Sequence, residues 1–360
     1  MCLNMVNPFV TFAEEKPNLL SYEKGTESMM KNNLELVSLN KQLELQKEIL
    51  KETKDEAERL RNSVSEDSEK ANERAIKVFV DPVKAENALA SLQRQLEGKN
   101  FDLSMQLKQI YIDYSNISNK ITSLQQNLTA TKTDYEQKKA RLNLGLIKAT
   151  DLLAYETSIK EVEKNLLQAQ NDLEMKLLEF NYLITGKTEN VYMPLVDKIE
   201  SILINPEIDL DKIDSGKLLL DYAANDDVYL TYKAQINEYE QFLHVERSFP
   251  SSTAAYNGYK KDIENTNFKI LNQHKQLRYQ ILEDYYDLHI KQLDIMTAKN
   301  DLKSAEITLA ELKANFKLNK ITRLDLQRGE IKLIDAHNSL LEAMGTFDIL
   351  FHTLARYQTK

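Results

Sequence analysis

Leu144-Gly145-Leu146-Ile147-Lys148-Ala149-Thr150-Asp151-Leu152 and, 174 residues further on, Leu318-Asn319-Lys320-Ile321-Thr322-Arg323-Leu324-Asp325-Leu326 decide the reading of this chain. With no gap, Leu144 falls on Leu318, Gly145 on Asn319, Ile147 on Ile321 and Asp151 on Asp325. The same offset places Ala140 on Ala314, Leu166-Leu167 on Leu340-Leu341, and Ala169 on Ala343. A fixed internal offset of this kind marks a duplicated supersecondary unit, and it constrains the fold more tightly than local propensity does.

Outward from each stretch, apolar side chains recur every seven residues. Before the first break they are Leu107, Tyr114, Ile121, Leu128, Tyr135 and Leu142; their copies are Ile281, Leu288, Ile295, Leu302, Leu309 and Phe316. After the break come Leu152, Ile159, Leu166, Leu173 and Phe180, copied as Leu326, Leu333, Leu340, Phe347 and Leu354. A strict seven-residue repeat keeps one stripe facing a neighbouring helix and winds the pair into a left-handed supercoil. Each break is short and holds a residue that tolerates left-handed backbone, Gly145 in one copy and Asn319 in the other. Thr322 with Asp325 reads as a capping box, and Thr150 or Asp151 can cap the first copy. The prediction is a helix, a tight turn and a helix, twice. The helix from about Pro82 to Asn143 would run roughly 90 Å, too long for a globular core, so the hairpins have to zip to each other or to further copies.

Composition agrees. The chain has 360 residues with only 8 glycines and 6 prolines, no tryptophan and 29% charged residues. Few breakers and many charges suit long helices, whereas a compact α/β enzyme of this length needs more glycine turns. A net charge of −9 argues against nucleic acid, which demands a basic face, and no Lys/Arg cluster stands out along the chain. The single cysteine, Cys2, excludes an internal disulfide, and no lipobox precedes it. No run of about 20 apolar residues is present. Residues 1–17 form an apolar tail in which Thr11-Phe12-Ala13 is similar to the end of a secretory signal peptide cut after Ala13; a plain apolar N-terminus is the alternative.

The repeat extends upstream. Asn32-Asn33-Leu34 lines up with Asp226-Asp227-Val228, so each copy opens with a shorter helix, about 20–62 and 213–247. Less helical stretches follow, including Ile76–Pro82 in one copy and Phe249–Ser252 in the other. The expected organisation is a tail (1–17), a first repeat (18–186), a linker (187–212) wrapped as a belt, and a second repeat (213–360).

These motifs resemble the TolC/outer-membrane efflux family, whose two tandem repeats carry a turn of the form V-G-L/T-x-x-x-x-D-V/L and an opening helix with N-P-x-L. Here the second turn lacks the glycine, and Asn33-Leu34-Glu35-Leu36 lacks the proline. The resemblance implies an all-α chain of elongated antiparallel hairpins with coiled-coil packing. It further implies a homotrimer forming a hollow export conduit in the cell envelope, whose tips meet a periplasmic-adaptor-like protein and an inner-membrane pump. One departure stands out: the regions 62–90 and 247–265 offer no room for four membrane strands of about 9–11 residues. The expectation is therefore a barrel-less relative, exported to the envelope without an outer-membrane seat. An elongated helical scaffold is the alternative, and a cytosolic coiled coil a third reading.

The candidate site is the pair of tips, Leu144, Gly145, Leu146 and Asp151 in one copy and Leu318, Asn319, Lys320 and Asp325 in the other. Either these residues only turn the chain, or they are held out to dock an adaptor. His244, His274, His289, His337 and His352 show no metal or catalytic spacing, and Asp348 with His352 reads as a surface pair. The tyrosines, among them Tyr111, Tyr114, Tyr285 and Tyr286, read as seam residues. No phosphate loop or nucleophile motif is present, so neither a cofactor nor an enzymatic activity is expected.

Overall fold

A computed structural model describes residues 18–62, 70–189, 191–196, 199–210, 216–217 and 225–356. Residues 1–17, which carry the signal-like tail, lie outside it, as does most of 211–224, where the second opening helix was expected to begin. In chain order the helices are α1 (Tyr22–Asn32), α2 (Leu34–Asn62), α3 (Ala71–Ala75), α4 (Asp81–Asn143), α5 (Ala149–Thr185), α6 (Asp227–Ser248), α7 (Thr253–Lys317) and α8 (Arg323–Ala355). Helix α4 has 63 residues and α7 has 65, so each spans roughly 95 Å. Both predicted hairpins form: α4 packs along α5, and α7 along α8. Helix α2 lies against α4 and α6 against α7, and α4 packs on α8, joining the repeats. Among the described residues, the order across this layer is α5, α4, α8, α7, with α5 and α7 at the edges.

The heptad stripes face these partners, and every stripe residue named above is buried or half-buried. Two apolar cores result. One gathers Met29, Leu36, Leu107, Tyr111, Phe180 and Ile184 from α1, α2, α4 and α5. The other holds Ile281, Leu288, Ile295, Phe347 and Leu354 from α7 and α8. Small residues set the approach of the helices: a side chain at Gly345 would lie 2.7 Å from Ile112 Cδ1 across the α4–α8 seam.

Four local features differ from the sequence reading. The opening helix breaks at Asn33, whose side chain accepts from the N–H groups of Glu35 and Leu36 and donates to Leu183 O. That residue therefore caps α2 and also occupies a carbonyl at the end of α5. In the second copy the cap is Asp226, accepting from Tyr229 N at 2.7 Å. The equivalent of Asn33 is thus one residue earlier than the sequence alignment placed it. The run Ile76–Val80 is a single π-helical turn leading into α4, with Val80 buried against Ala75 and Val245. Finally, α5 begins at Ala149, so Thr150 and Asp151 fall inside its first turn rather than at its cap.

At the end away from the hairpin turns, α6 joins α7 through Phe249–Ser252. Buried Glu246 organises this turn, accepting from Ser251 N, Ser251 Oγ and Asn72 Nδ2 at 2.8, 2.6 and 3.2 Å. Burial opposes ionisation of Glu246, but these donors outweigh it and hold its pKa below the ordinary value. Among the described residues the strands are β1 (Asn18–Leu20) and β2 (Tyr192–Pro194), a short parallel pair that lies beside the first core. Those described residues supply no membrane-length strand, in keeping with the barrel-less expectation.

The linker crosses helices of both repeats. Asn181 anchors its start by accepting from Val191 N and Tyr192 N and donating to Tyr192 O. Gln292 on α7 then donates to Pro206 O and Ile208 O, each at 2.8 Å. Where the linker meets the seam, Ile204 N donates to Asp348 Oδ1 at 2.7 Å. Asp348 is fully buried and pairs with Lys108 Nζ at 2.7 Å, where the sequence suggested a surface pair with His352. His352 Nε2 does lie 3.5 Å from Asp348, at the exposed rim of the same group.

Candidate docking site at the hairpin tips and open edges

Both tips close with the same hydrogen bonds. Gly145 N donates to Leu142 O and Leu146 N to Arg141 O; Asn319 N donates to Phe316 O and Lys320 N to Asn315 O. These are the two bonds that end a helix with one left-handed residue. Gly145 (φ 71°) and Asn319 (φ 55°) are those residues, as their positions in the sequence imply. Asparagine tolerates this region better than other residues with a side chain, so the second tip keeps its geometry without glycine. Beyond it, Thr322 Oγ1 accepts from Asp325 N at 3.2 Å, and Asp325 Oδ2 accepts from Thr322 N at 3.0 Å. The predicted capping box is present. The Thr322 hydroxyl and N–H hold the Asp325 carboxyl below its ordinary range.

The turn geometry leaves its apolar residues in solvent. Leu144, Leu146 and Leu318 are 74%, 64% and 63% exposed, and Asn319 and Lys320 are exposed beside them. No atom comes within 4 Å of the position a Gly145 side chain would take. The side chain of Asp151 lies outside the described residues. Of the tip residues singled out, Leu144, Gly145, Leu146, Leu318, Asn319 and Lys320 therefore form two convex apices, while Asp325 serves the backbone of α8.

The edges were not visible in the sequence reading. On α7, Tyr279, Tyr286, Leu293 and Ile307 fall on one seven-residue register, two positions out of phase with the buried stripe, and all are exposed. Ile290 and Met296 widen this second stripe. On α5, Leu153, Leu167, Met175 and Tyr182 are likewise exposed. Tyr111 and Tyr114 are seam residues as expected, with their phenols pushed up by burial, but Tyr286 points outward. A second heptad series beside the first was the signal available in the sequence. Isolated exposed apolar residues are ordinary on any surface; an aligned series such as that on α7 is not.

Among the described residues no group of His, Cys, Asp and Glu could hold a metal ion, and no helix is long and apolar enough to cross a membrane.

This arrangement has counterparts among solved structures. No protein-family model and no curated protein sequence matches the chain. The outer membrane protein VceC of Vibrio cholerae superposes with a TM-score of 0.60 at 14% identity, covering 93% of this chain and 95% of that one. The CmeC outer membrane channel of Campylobacter jejuni gives 0.63 at 10% identity, over 96% and 90%. The open state of the Neisseria gonorrhoeae MtrE outer membrane channel gives 0.55 at 12% identity, over 93% and 88%. At such identities the likeness is one of fold. The chain has the TolC-like fold, two tandem helical hairpins of the kind found in outer-membrane efflux channels.

Proposed function

We propose that this protein is a TolC-like envelope component of an efflux or secretion system, which joins further copies of itself into a helical conduit. The carrying observation is the pair of open edges. Helix α7 leaves an apolar stripe in water and α5 leaves Leu153, Leu167, Met175 and Tyr182 there, and a layer with two apolar edges is satisfied by closing on copies of itself. Cyclic closure through unlike edges is a heterologous interface, and the resemblance to trimeric channels supports three copies. The tips then stand at one end of the conduit, available to an adaptor-like protein and, through it, an inner-membrane pump. Nothing in this role requires catalysis.

Native mass measurement of the purified chain is the direct test. The expected result is a trimer that the double variant Tyr286→Asp, Leu293→Asp reduces to monomer while its helical content is kept. A monomeric wild type would sink the conduit. It would favour a rod-like envelope scaffold, a reading that the self-closed Phe249–Ser252 turn and the lack of membrane-length strands among the described residues also support.

A further inference from the structure

Two lines of side chains on opposite edges of the layer match each other. On α5, Met175, Leu178 and Tyr182 follow at spacings of three and four residues; Met175 and Tyr182 are exposed and Leu178 is half-buried. Toward the tip this line continues as Asn171, Gln168 and Lys164, all exposed. On α7 the line is Tyr286, Ile290 and Leu293, each more than half exposed, and it continues toward the other tip as Thr297, Asn300 and Ser304, also exposed. Three apolar steps followed by three polar ones thus run toward the tip on both edges. Alternating spacings of three and four are those of a helix–helix seam. The linker leaves the line on α7 open, because Tyr285 and Gln292, which hold it, lie about 100° round the helix from Tyr286 and Leu293.

The two apolar trios also stand at one level. Gln106 on α4 bonds Glu179 on α5, and Asp113 pairs with Lys176, so the level of Lys108 on α4 falls near Leu178 on α5. Lys108 meets Asp348 on α8, and Asp348 accepts from Ile204 N. Two residues further along the linker, Pro206 O accepts from Gln292 on α7. Leu178 therefore stands level with Ile290 to Leu293. Copies closed into a ring by rotation about an axis along the helices keep that level, since a rotation moves nothing along its own axis. Direction is fixed as well. Lys108–Asp348, Asn119–Asn338 and Ser123–Asp335 run antiparallel along α4 and α8, which places both tips at one end. Helix α5 leaves its tip and α7 runs to its tip, so the two edges meet antiparallel.

From the matched lines and the shared level we infer that α7 of one copy seats antiparallel on α5 of the next, with Leu293 against Met175, Ile290 against Leu178 and Tyr286 against Tyr182. This pairing rests on the reading that the chain joins copies of itself, and it names the register in which they join. In it Thr297, Asn300 and Ser304 face Asn171, Gln168 and Lys164, so along these lines apolar meets apolar and polar meets polar. Sliding by one layer breaks the match either way. One direction puts Tyr182 on Glu283 and Asn171 on Leu293; the other puts Met175 on Thr297 and Lys164 on Ile307. A polar group covered without a partner is costly, which is how polar seam positions fix a register.

The test is oxidative cross-linking of the full chain in a Cys2→Ser background. Within one copy α5 and α7 are opposite edges of a four-helix layer, so a disulfide between them has to join two copies. Met175→Cys with Leu293→Cys should give covalent multimers up to trimer on a denaturing gel, and so should Asn171→Cys with Thr297→Cys, which leaves the apolar trios intact. Met175→Cys with Asn300→Cys should give none. That pair is offset by one heptad, roughly 10 Å along the helix, whereas the Cα atoms of a disulfide lie about 4.4–6.8 Å apart. Native mass of the wild type is measured alongside. A trimer in which neither matched pair links, or in which the offset pair links, overturns the pairing and leaves the conduit standing. A monomeric wild type overturns both.

Discussion

Replacing Lys108 by methionine removes one half of an ion pair whose side chains are 5% and 0% exposed. Methionine fills much of the lysine volume, so the perturbation is mainly electrostatic. Asp348 keeps the N–H of Ile204 at 2.7 Å and His352 Nε2 at 3.5 Å but loses the ammonium at 2.7 Å. Breaking a buried pair from one side destabilises by about 3–5 kcal/mol, because a desolvated charge is left without its counterion. Replacing both partners, as in Lys108→Met with Asp348→Leu, removes the charge as well and should recover most of that loss. Urea unfolding followed by circular dichroism reads both variants.

The effect also has a pH signature. Burial alone would raise the Asp348 carboxyl, but donors from His352, Lys108 and Ile204 outweigh it and hold its pKa below the ordinary 3.8. A depressed folded-state pKa contributes stability that is fully present above the unfolded value and is lost as pH falls through the folded one. The wild type should therefore hold this contribution down to about pH 4 and lose it below. In Lys108→Met the carboxyl protonates more readily, so the gap between variant and wild type should narrow in acid. A loss under about 1 kcal/mol at neutral pH, the range of exposed pairs, would refute the assignment of this pair as the buried link between repeats. A gap that widens in acid would refute the electrostatic account of it.

Other perturbations probe the turns and the seam. Gly145→Val and Asn319→Val each force a β-branched residue into left-handed backbone and should destabilise by about 1–2 kcal/mol in thermal unfolding, whereas Asn319→Gly should be tolerated. Thr322→Ala removes the capping hydroxyl, a loss of about 1 kcal/mol, seen as faster amide exchange in the first turn of α8. The same fraying should appear in the wild type as pH falls below the lowered range of Asp325. Gly345→Leu drives a side chain into Ile112 across the α4–α8 seam and should destabilise by about 1–3 kcal/mol, while the same change at Gly258, which has open space around it, should be nearly neutral.

What the sequence by itself determined is local and periodic. Seven-residue spacing names the buried face of each long helix, and it held for both copies because a supercoiled pair needs that period whatever its partner is. Gly145 and Asn319 name their turns because left-handed backbone admits few residue types, and Thr322 with Asp325 names a cap because its bonds close within four residues. Periodicity cannot say which helix a stripe faces, nor whether a second stripe is covered. Only the packed structure decided that Asp348 is buried against Lys108, 240 residues away in sequence, rather than paired at the surface with its neighbour His352. Only it showed that Asn33 occupies a carbonyl at the end of α5 as well as capping α2, and that Tyr286 and Leu293 lie on an open edge. Local rules fix the shape of each segment because their interactions close within a few residues, while burial and charge depend on what the rest of the chain brings alongside.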